Sequence, residues 1–437
     1  MTKLRVYKSI YFEDARSHGK KKGDITLAFN PDDELYKLWY TLFIIDKAAT
    51  LTPPAERIRR RLGEVLHALR TKQAKVREVG LCYAVSRDGI AWEKPDLGLC
   101  QFQNSRRNNI VKRKAHGMGV FLDRLETDSG RRYKMFGRMD DGRGDDRMVV
   151  GFSRDGLHWG TLIRCPDIRA PADTHNNAFW AATLGRYVGI TRLTRRQVPR
   201  VGAVRMVGRT ESRDFVHWTP ADVVLEGLDD TLQMYSMPVF CLAGVYIGLP
   251  AILDVTTDRV HTELTWSPDT RTWHRICPGE PLIPTSRRKG AYDWGCAYAA
   301  CPVFLAGESR LYYGGSNRGH GDWRDGSFCL ATLRSDAFAG YEPKSSDKTA
   351  QITTNEITCS GRTLQISADV APNGALRAAV VGSSGFTIKG CEPIRASVTD
   401  GPVTWKTDAD LTKLVGKCIR LRFEFTKAKL YAFSFRD

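Results

Sequence analysis

Ser153-Arg154-Asp155-Gly156-Leu157-His158-Trp159 decides the fold, because the same pattern occurs four times. Ser86-Arg87-Asp88-Gly89-Ile90-Ala91-Trp92 precedes it; Ser212-Arg213-Asp214-Phe215-Val216-His217-Trp218 and Ser267-Pro268-Asp269-Thr270-Arg271-Thr272-Trp273 follow. A degenerate fifth copy starts at Ser335-Asp336. Self-similarity at a period of tens of residues marks propellers and arrays. A short Ser/Asp/Gly segment makes a tight turn in which the Asp carboxylate accepts from nearby backbone N–H groups. The aromatic residue after it starts the next strand and packs between sheets. These Asp residues are therefore read as structural.

Around each turn a larger unit repeats. A Phe and a Tyr flank a short polar turn at Phe29/Tyr36, Phe121/Tyr133, Phe179/Tyr187, Phe240/Tyr246 and Phe304/Tyr312. Each pair reads as a hairpin of half-buried strands. A third strand precedes each Ser-x-Asp turn, over 79–85, 148–152, 206–210, 260–266 and 327–333. A fourth follows the Trp in the first four copies. The fifth copy lacks this outer strand, and residues 3–12 are expected to supply it and close the ring. The spacing predicts an all-β chain: a five-bladed β-propeller over residues 1–343, followed by a small antiparallel β-sandwich over 344–437. The sandwich strands are expected at 363–370, 376–381, 394–398, 418–425 and 428–435. An insertion at about 50–76 reads as an amphipathic helix, with Ile58, Leu62, Val65, Leu66 and Leu69 on one face and Arg on the other. It is a candidate contact for a homo-oligomer.

Composition bounds the function. Over 437 residues, Lys+Arg 66 against Asp+Glu 49 give a net charge of +17. The excess permits an acidic partner, but no interleaved basic and aromatic platform points to nucleic acid. The 11 Cys form no CxxC pair, so neither a zinc pattern nor a disulfide framework is expected. No apolar stretch approaches the ~20 residues of a membrane helix. A cytoplasmic protein without membrane association is expected.

In a propeller the inner strand of each blade lines the channel. Aligning inner strands on their Phe places Asp24 in blade one, His116 in blade two, Asp173, His175 and Asn176 in blade three, Tyr235 in blade four, and Tyr298 in blade five at the mouth. Asp293 and Trp294 lie slightly upstream of Tyr298, and His320 lies on a loop. Asp173-Thr174-His175-Asn176-Asn177 is the densest polar run entering an apolar strand, and buried polar groups are costly unless paired or used. The basic segment 192–200 is placed to reach the same mouth.

The chain resembles the five-bladed propeller glycoside hydrolases of the family 43 and family 32 types, and more closely their poorly characterised bacterial relatives with a C-terminal β-sandwich. The resemblance rests on residues 81–99, Asn108-Asn109-Ile110-Val111, 173–188, 414–423 and 430–433. It implies a carbohydrate substrate and two carboxylates flanking a glycosidic bond, one acting as acid and the other as base or nucleophile. Asp173, Asp24, Asp293 and Glu263 are the candidate catalytic residues. His175, Asn176, His116, Tyr235, Trp294 and His320 are the candidate substrate contacts. The Glu that such enzymes carry near a later inner strand is missing here. No cofactor is expected, though Asp and His in the channel are compatible with a calcium ion. The alternative is a non-catalytic carbohydrate- or anion-binding propeller.

Overall fold

The computed structural model describes residues 5–10, 25–46, 77–140, 147–198, 202–345, 348–406 and 410–437. Asp24 and the expected helix at 50–76 fall outside them. The described residues hold strands and short 3-10 turns but no α-helix. None of their segments is a helix long and apolar enough to cross a membrane.

The first three repeats are four-stranded antiparallel sheets. Repeat one runs Ile25–Asn30, Leu35–Asp46, Arg77–Ser86, Ile110–Arg113. Repeat two runs Ala115–Leu122, Tyr133–Met139, Met148–Ser153, Ile163–Arg164. Repeat three runs Asn177–Ala181, Arg186–Val198, Gly202–Ser212, Asp222–Leu225. Middle strands are buried almost continuously; Leu35-Tyr36-Lys37-Leu38-Trp39-Tyr40 lies between neighbouring sheets rather than against water. Continuous apolar runs are what strands covered on both faces require.

Repeat four is creased. Its first three strands break into Leu232–Ser236 and Val239–Leu242, Val245–Gly248 and Ala251–Asp254, and Arg259–Thr262 and Leu264–Ser267; His274–Ile276 is the outer strand. The breaks align. Pro238 and Pro250 carry no N–H for a ladder, and their carbonyls instead accept from Leu249 N at 3.0 Å and Glu263 N at 2.9 Å. Below the crease the inner halves continue into repeat five through one parallel bridge, Val260 to Cys296. Repeat five carries Cys296–Ala299, Glu308–Ser316 and Gly326–Arg334, and Arg5–Ile10 pairs on its outer edge as the sequence predicts.

The Ser-x-Asp turns are alike in detail. Each Ser hydroxyl donates to the Asp two residues on, at 2.9–3.1 Å. Each Asp Oδ1 accepts two backbone N–H groups, as Asp155 does from Leu157 and His158 at 2.8 Å. Each turn also docks on the repeat before it. Trp39 Nε1 donates to Gly156 O at 2.8 Å, Phe215 packs on Phe121 and Phe152, and Arg209 Nε donates to Thr270 Oγ1 at 2.7 Å. The first turn docks on the last repeat: Tyr312 donates to Gly89 O at 2.9 Å, and Trp92 packs edge-on against Tyr312 and Phe328. This circular order is that of a β-propeller.

The chain divides into two compact bodies, one of Val6–Val303 with Leu311–Ala331, the other built chiefly from Thr332–Asp437 with Phe304–Arg310. In the second body two pairs of predicted strands are each one long strand, Thr363–Val380 and Leu421–Arg436. They stay paired on both sides of the irregular segment between Val370 and Ala375, so the turn at Pro372-Asn373-Gly374 bends the strand as a bulge does rather than ending it. Leu364, Leu376, Trp405, Phe423 and Phe425 form its core.

Candidate functional site

The polar run before the inner strand of repeat three divides into two roles. Asn176 is 0% exposed and fully engaged. Its amide donates to Gly117 O, Ala172 O and Thr174 O at 3.0–3.2 Å, and its carbonyl accepts from Thr191 at 2.6 Å. Asn177 donates to Met237 O and accepts from Val239 N. Thr174 donates to Tyr235 O at 2.7 Å. These side chains bind repeat three to repeats two and four, so Asn176 is a tie within the scaffold and not the substrate contact expected of it. His175 is buried beside them. Asp173 alone of the run keeps its side chain open, 54% exposed.

Asp173 lies at the end of a proton-bearing chain. Its Oδ1 is 3.2 Å from His116 Nε2, and His116 Nδ1 is 2.9 Å from Asp140 Oδ2. Arg138 holds Asp140 at 2.6 Å and donates to Pro171 O at 3.0 Å. Burial pushes the Asp140 carboxyl up, but the hydrogen bond and charge of His116, with the Arg138 guanidinium, outweigh it and hold it below its ordinary range. An ionised Asp140 fixes a proton on Nδ1. Nε2 and Asp173 then share the next proton, as imidazolium facing carboxylate or as imidazole accepting from a carboxylic acid.

On its other side Asp173 meets Arg192, whose Nη2 is 2.9 Å from Oδ2 and whose side chain is 6% exposed. Arg192 Nε and Nη1 are buried and have no hydrogen-bond partner among the described residues. The Arg192 guanidinium lies 5.0 Å from the centre of the Tyr235 ring, and that of Arg205 lies 5.9 Å from the same ring. Arg205 donates to the neutral Gln233 at 2.7 Å. Burial, then the charge of Arg192, pushes the Arg205 guanidinium down. Tyr235 also meets the rings of Tyr298 and His320, at 5.3 and 4.6 Å. His320 Nδ1 is 2.8 Å from Tyr298 OH and 3.3 Å from Arg324 Nη1. Both neighbours are best satisfied when Nδ1 accepts, which leaves any ring proton of a neutral His320 on Nε2. Asp258 fixes the His320 loop by accepting from His320 N and Gly321 N.

His116, Asp173, Tyr235 and His320, from four successive repeats, thus join one run of contacts. Glu263, Asp293 and Trp294 do not. Glu263 sits on the crease of repeat four, 1% exposed. Arg275, His261 and Gly279 N occupy its carboxylate at 2.6, 3.1 and 3.0 Å. Burial raises its proton affinity, but these partners lower it further. Glu263 is therefore corrected from catalytic candidate to a buttress of the crease. Asp293 is buried and accepts from Tyr313 at 3.0 Å, with burial pushing its carboxyl up. Trp294 carries Arg259 on its ring at 4.9 Å and accepts from Arg259 through its carbonyl. Asp24 lies outside the described residues. Among those residues no three His, Cys, Asp or Glu side chains gather as metal ligands, so calcium has no described ligand set.

Sequence reasoning missed Arg138, Asp140, Arg205 and Arg324. Cross-strand register was the available signal. Met139 pairs with Ala115, which brings Asp140 to His116, and Thr194 pairs with Arg205.

No family model and no curated protein matches the chain. Solved structures similar to it include an N-acetylgalactosamine deacetylase from F. plautii, 15% identical over 77% of this chain and 96% of that one, with a TM-score of 0.48. A protein described as a glycoside hydrolase is 14% identical over 76% and 91%, at 0.49. A thermostable family-43 glycoside hydrolase is 13% identical over 74% and 90%, at 0.45. At these identities and scores the likenesses say nothing about chemistry.

Proposed function

We propose that the five repeats are the blades of a propeller, and that its centre cleaves a glycosidic bond. The observation that carries this reading is the Asp140–His116–Asp173 chain, which ends on a carboxyl 54% exposed. Asp173 can receive a proton through His116 and deliver it to a leaving glycosidic oxygen. Asp140 is a positioning residue: it accepts from His116 Nδ1 and so aims Nε2 at Asp173. The sequence sets Asp24 just before the inner strand of repeat one, and it is our candidate for the base or nucleophile on the other side of the bond. Tyr235 and His320 line the substrate. The substrate class is a furanoside or short oligosaccharide.

The second reading is a non-catalytic carbohydrate- or anion-binding propeller. It is favoured by the position of the second described carboxylate, Asp140, behind His116 rather than opposite Asp173.

Turnover of a panel of nitrophenyl furanosides and pyranosides, with natural oligosaccharides, separates the two. Asp173→Asn is expected to lower kcat by about 10²–10⁴, the usual worth of a general acid. Asp140→Asn is expected to move the pH–rate profile while KM changes little. Turnover unaffected by Asp173→Asn refutes the assignment. No turnover on any substrate leaves the binding reading.

A further inference from the structure

We infer that this site takes an oxyanion, carried on the sugar or free in solution, seated over Tyr235 between Arg192 and Arg205. Two guanidiniums share one aromatic ring, and a third, Arg324, lies behind it against His320 and Cys296. Arg205 and Arg324 meet no carboxylate among the described residues. The exposed carboxylate of Asp173 faces Arg192 and His116 together.

A guanidinium stays protonated at any physiological pH, so it cannot escape burial by losing its charge. A buried cation beside another cation is unfavourable unless an anion meets both. Among the described residues, two buried N–H-bearing nitrogens of Arg192, Nε and Nη1, meet no acceptor. Among the described residues Arg205 donates to the neutral Gln233 and to no carboxylate. The planar fork of each guanidinium matches the oxygens of a carboxylate or phosphate. The Tyr235 ring holds both forks by cation–π contact. Elsewhere in the scaffold each guanidinium of such a cluster meets a carboxylate: Arg275 meets Glu263, and Arg186, Arg209 and Arg271 share Glu211.

The inference rests on the proposed function only in setting the anion beside Asp173. Calorimetric titration of the full chain tests it without turnover. The probes are inorganic phosphate, methyl glucuronide and methyl glucoside, at low and high salt. Phosphate or the glucuronide is expected to bind at least tenfold more tightly than the neutral glucoside, and Arg205→Gln is expected to weaken that binding tenfold or more. Preference for the glucuronide puts the anion on the sugar; preference for phosphate makes it a free ligand. Arg205→Gln should also raise the melting temperature of the unliganded protein, because it removes a half-buried charge that meets no carboxylate among the described residues; Arg205→Lys should not. Anions that do not bind, or that bind Arg205→Gln as tightly as wild type, overturn the inference. Asp173-dependent turnover of neutral glycosides would then still support the proposed function. Anion binding without any turnover would sink that function and keep this site.

Discussion

Gly117→Ala is the sharpest test of how the site is assembled. Gly117 has φ +57°, and a Cβ there would lie 1.6 Å from the Thr174 carbonyl oxygen and 3.2 Å from Asn176 Nδ2. No rotamer relieves a clash between Cβ and backbone, so repeats two and three must separate. Gly117 O accepts from both Asn176 N, at 2.9 Å, and Asn176 Nδ2, at 3.0 Å. Losing both costs about 1–3 kcal/mol. The left-handed backbone adds about 1–2 kcal/mol for a residue with a Cβ. The sum is about 2–5 kcal/mol. Gly98→Ala supplies the internal control: its φ is +70°, with nothing within 4 Å of the added Cβ, so only the backbone penalty of about 1–2 kcal/mol applies. Urea unfolding gives both values, and the ligand titrations report the site. We expect Gly117→Ala to lose ligand binding along with stability, because His116 and Asp173 sit on the two backbones forced apart. Equal losses in the two variants would refute the close-approach argument.

Two further predictions concern the scaffold. Lys134 is 0% exposed between Asp123, at 3.0 Å, and Glu126, at 2.9 Å, and Asp123 also accepts from Tyr187 of the next repeat at 2.7 Å. Lys134→Met should cost roughly 3–5 kcal/mol in urea unfolding by stranding a buried carboxylate, with part of the loss recovered in the double variant Lys134→Met/Asp123→Leu; no recovery would mean that charge is not the cause. Burial pushes the carboxyls of Asp155 and Asp214 up, but backbone N–H groups and His158 or His217 outweigh it and hold them well below the ordinary range. The unfolded chain therefore takes up protons first. The stability these turns contribute is present above about pH 4 and is lost as pH falls below it. Melting temperatures from pH 6 to 3 should fall less steeply in Asp155→Asn/Asp214→Asn, and an unchanged slope would contradict the reading.

The repeats were legible because their chemistry is local. A Ser and an Asp two residues apart build the turn with their own backbone, and the Trp after it has one place to pack. Of the candidates the sequence singles out, His116, Asp173 and Tyr235 at strand entries and His320 on its loop lie along one run of contacts. Asn176 could not be read correctly from its neighbours in sequence. Its role depends on Gly117, which another repeat supplies. Glu263 looked like an acid near a strand end because nothing local announces a crease shared by Pro238 and Pro250. Asp140 and Arg205 enter the site from second and third strands, where only register reveals them. The Asn-Gly turn at 373–374 signalled a strand end, but pairing with the partner strand carried the ladder past it.

The docking of the first turn on the last repeat has a consequence for synthesis. Trp39 meets Gly156 across 117 residues and Arg209 meets Thr270 across 61, but Tyr312 reaches Gly89 only across 223. Closing the longest loop rather than the next longest costs less than about 0.6 kcal/mol, since a doubling of length costs about that much. The seam is therefore little weaker at equilibrium than the other joints. Its disadvantage is one of time. On a ribosome the first four repeats can dock as they emerge, while the Gly89–Trp92 surface waits uncovered for the fifth, at about 5–20 residues per second. A circular permutant that opens the chain between repeats two and three would move that wait elsewhere. It should refold to the same stability, with a different joint last to form.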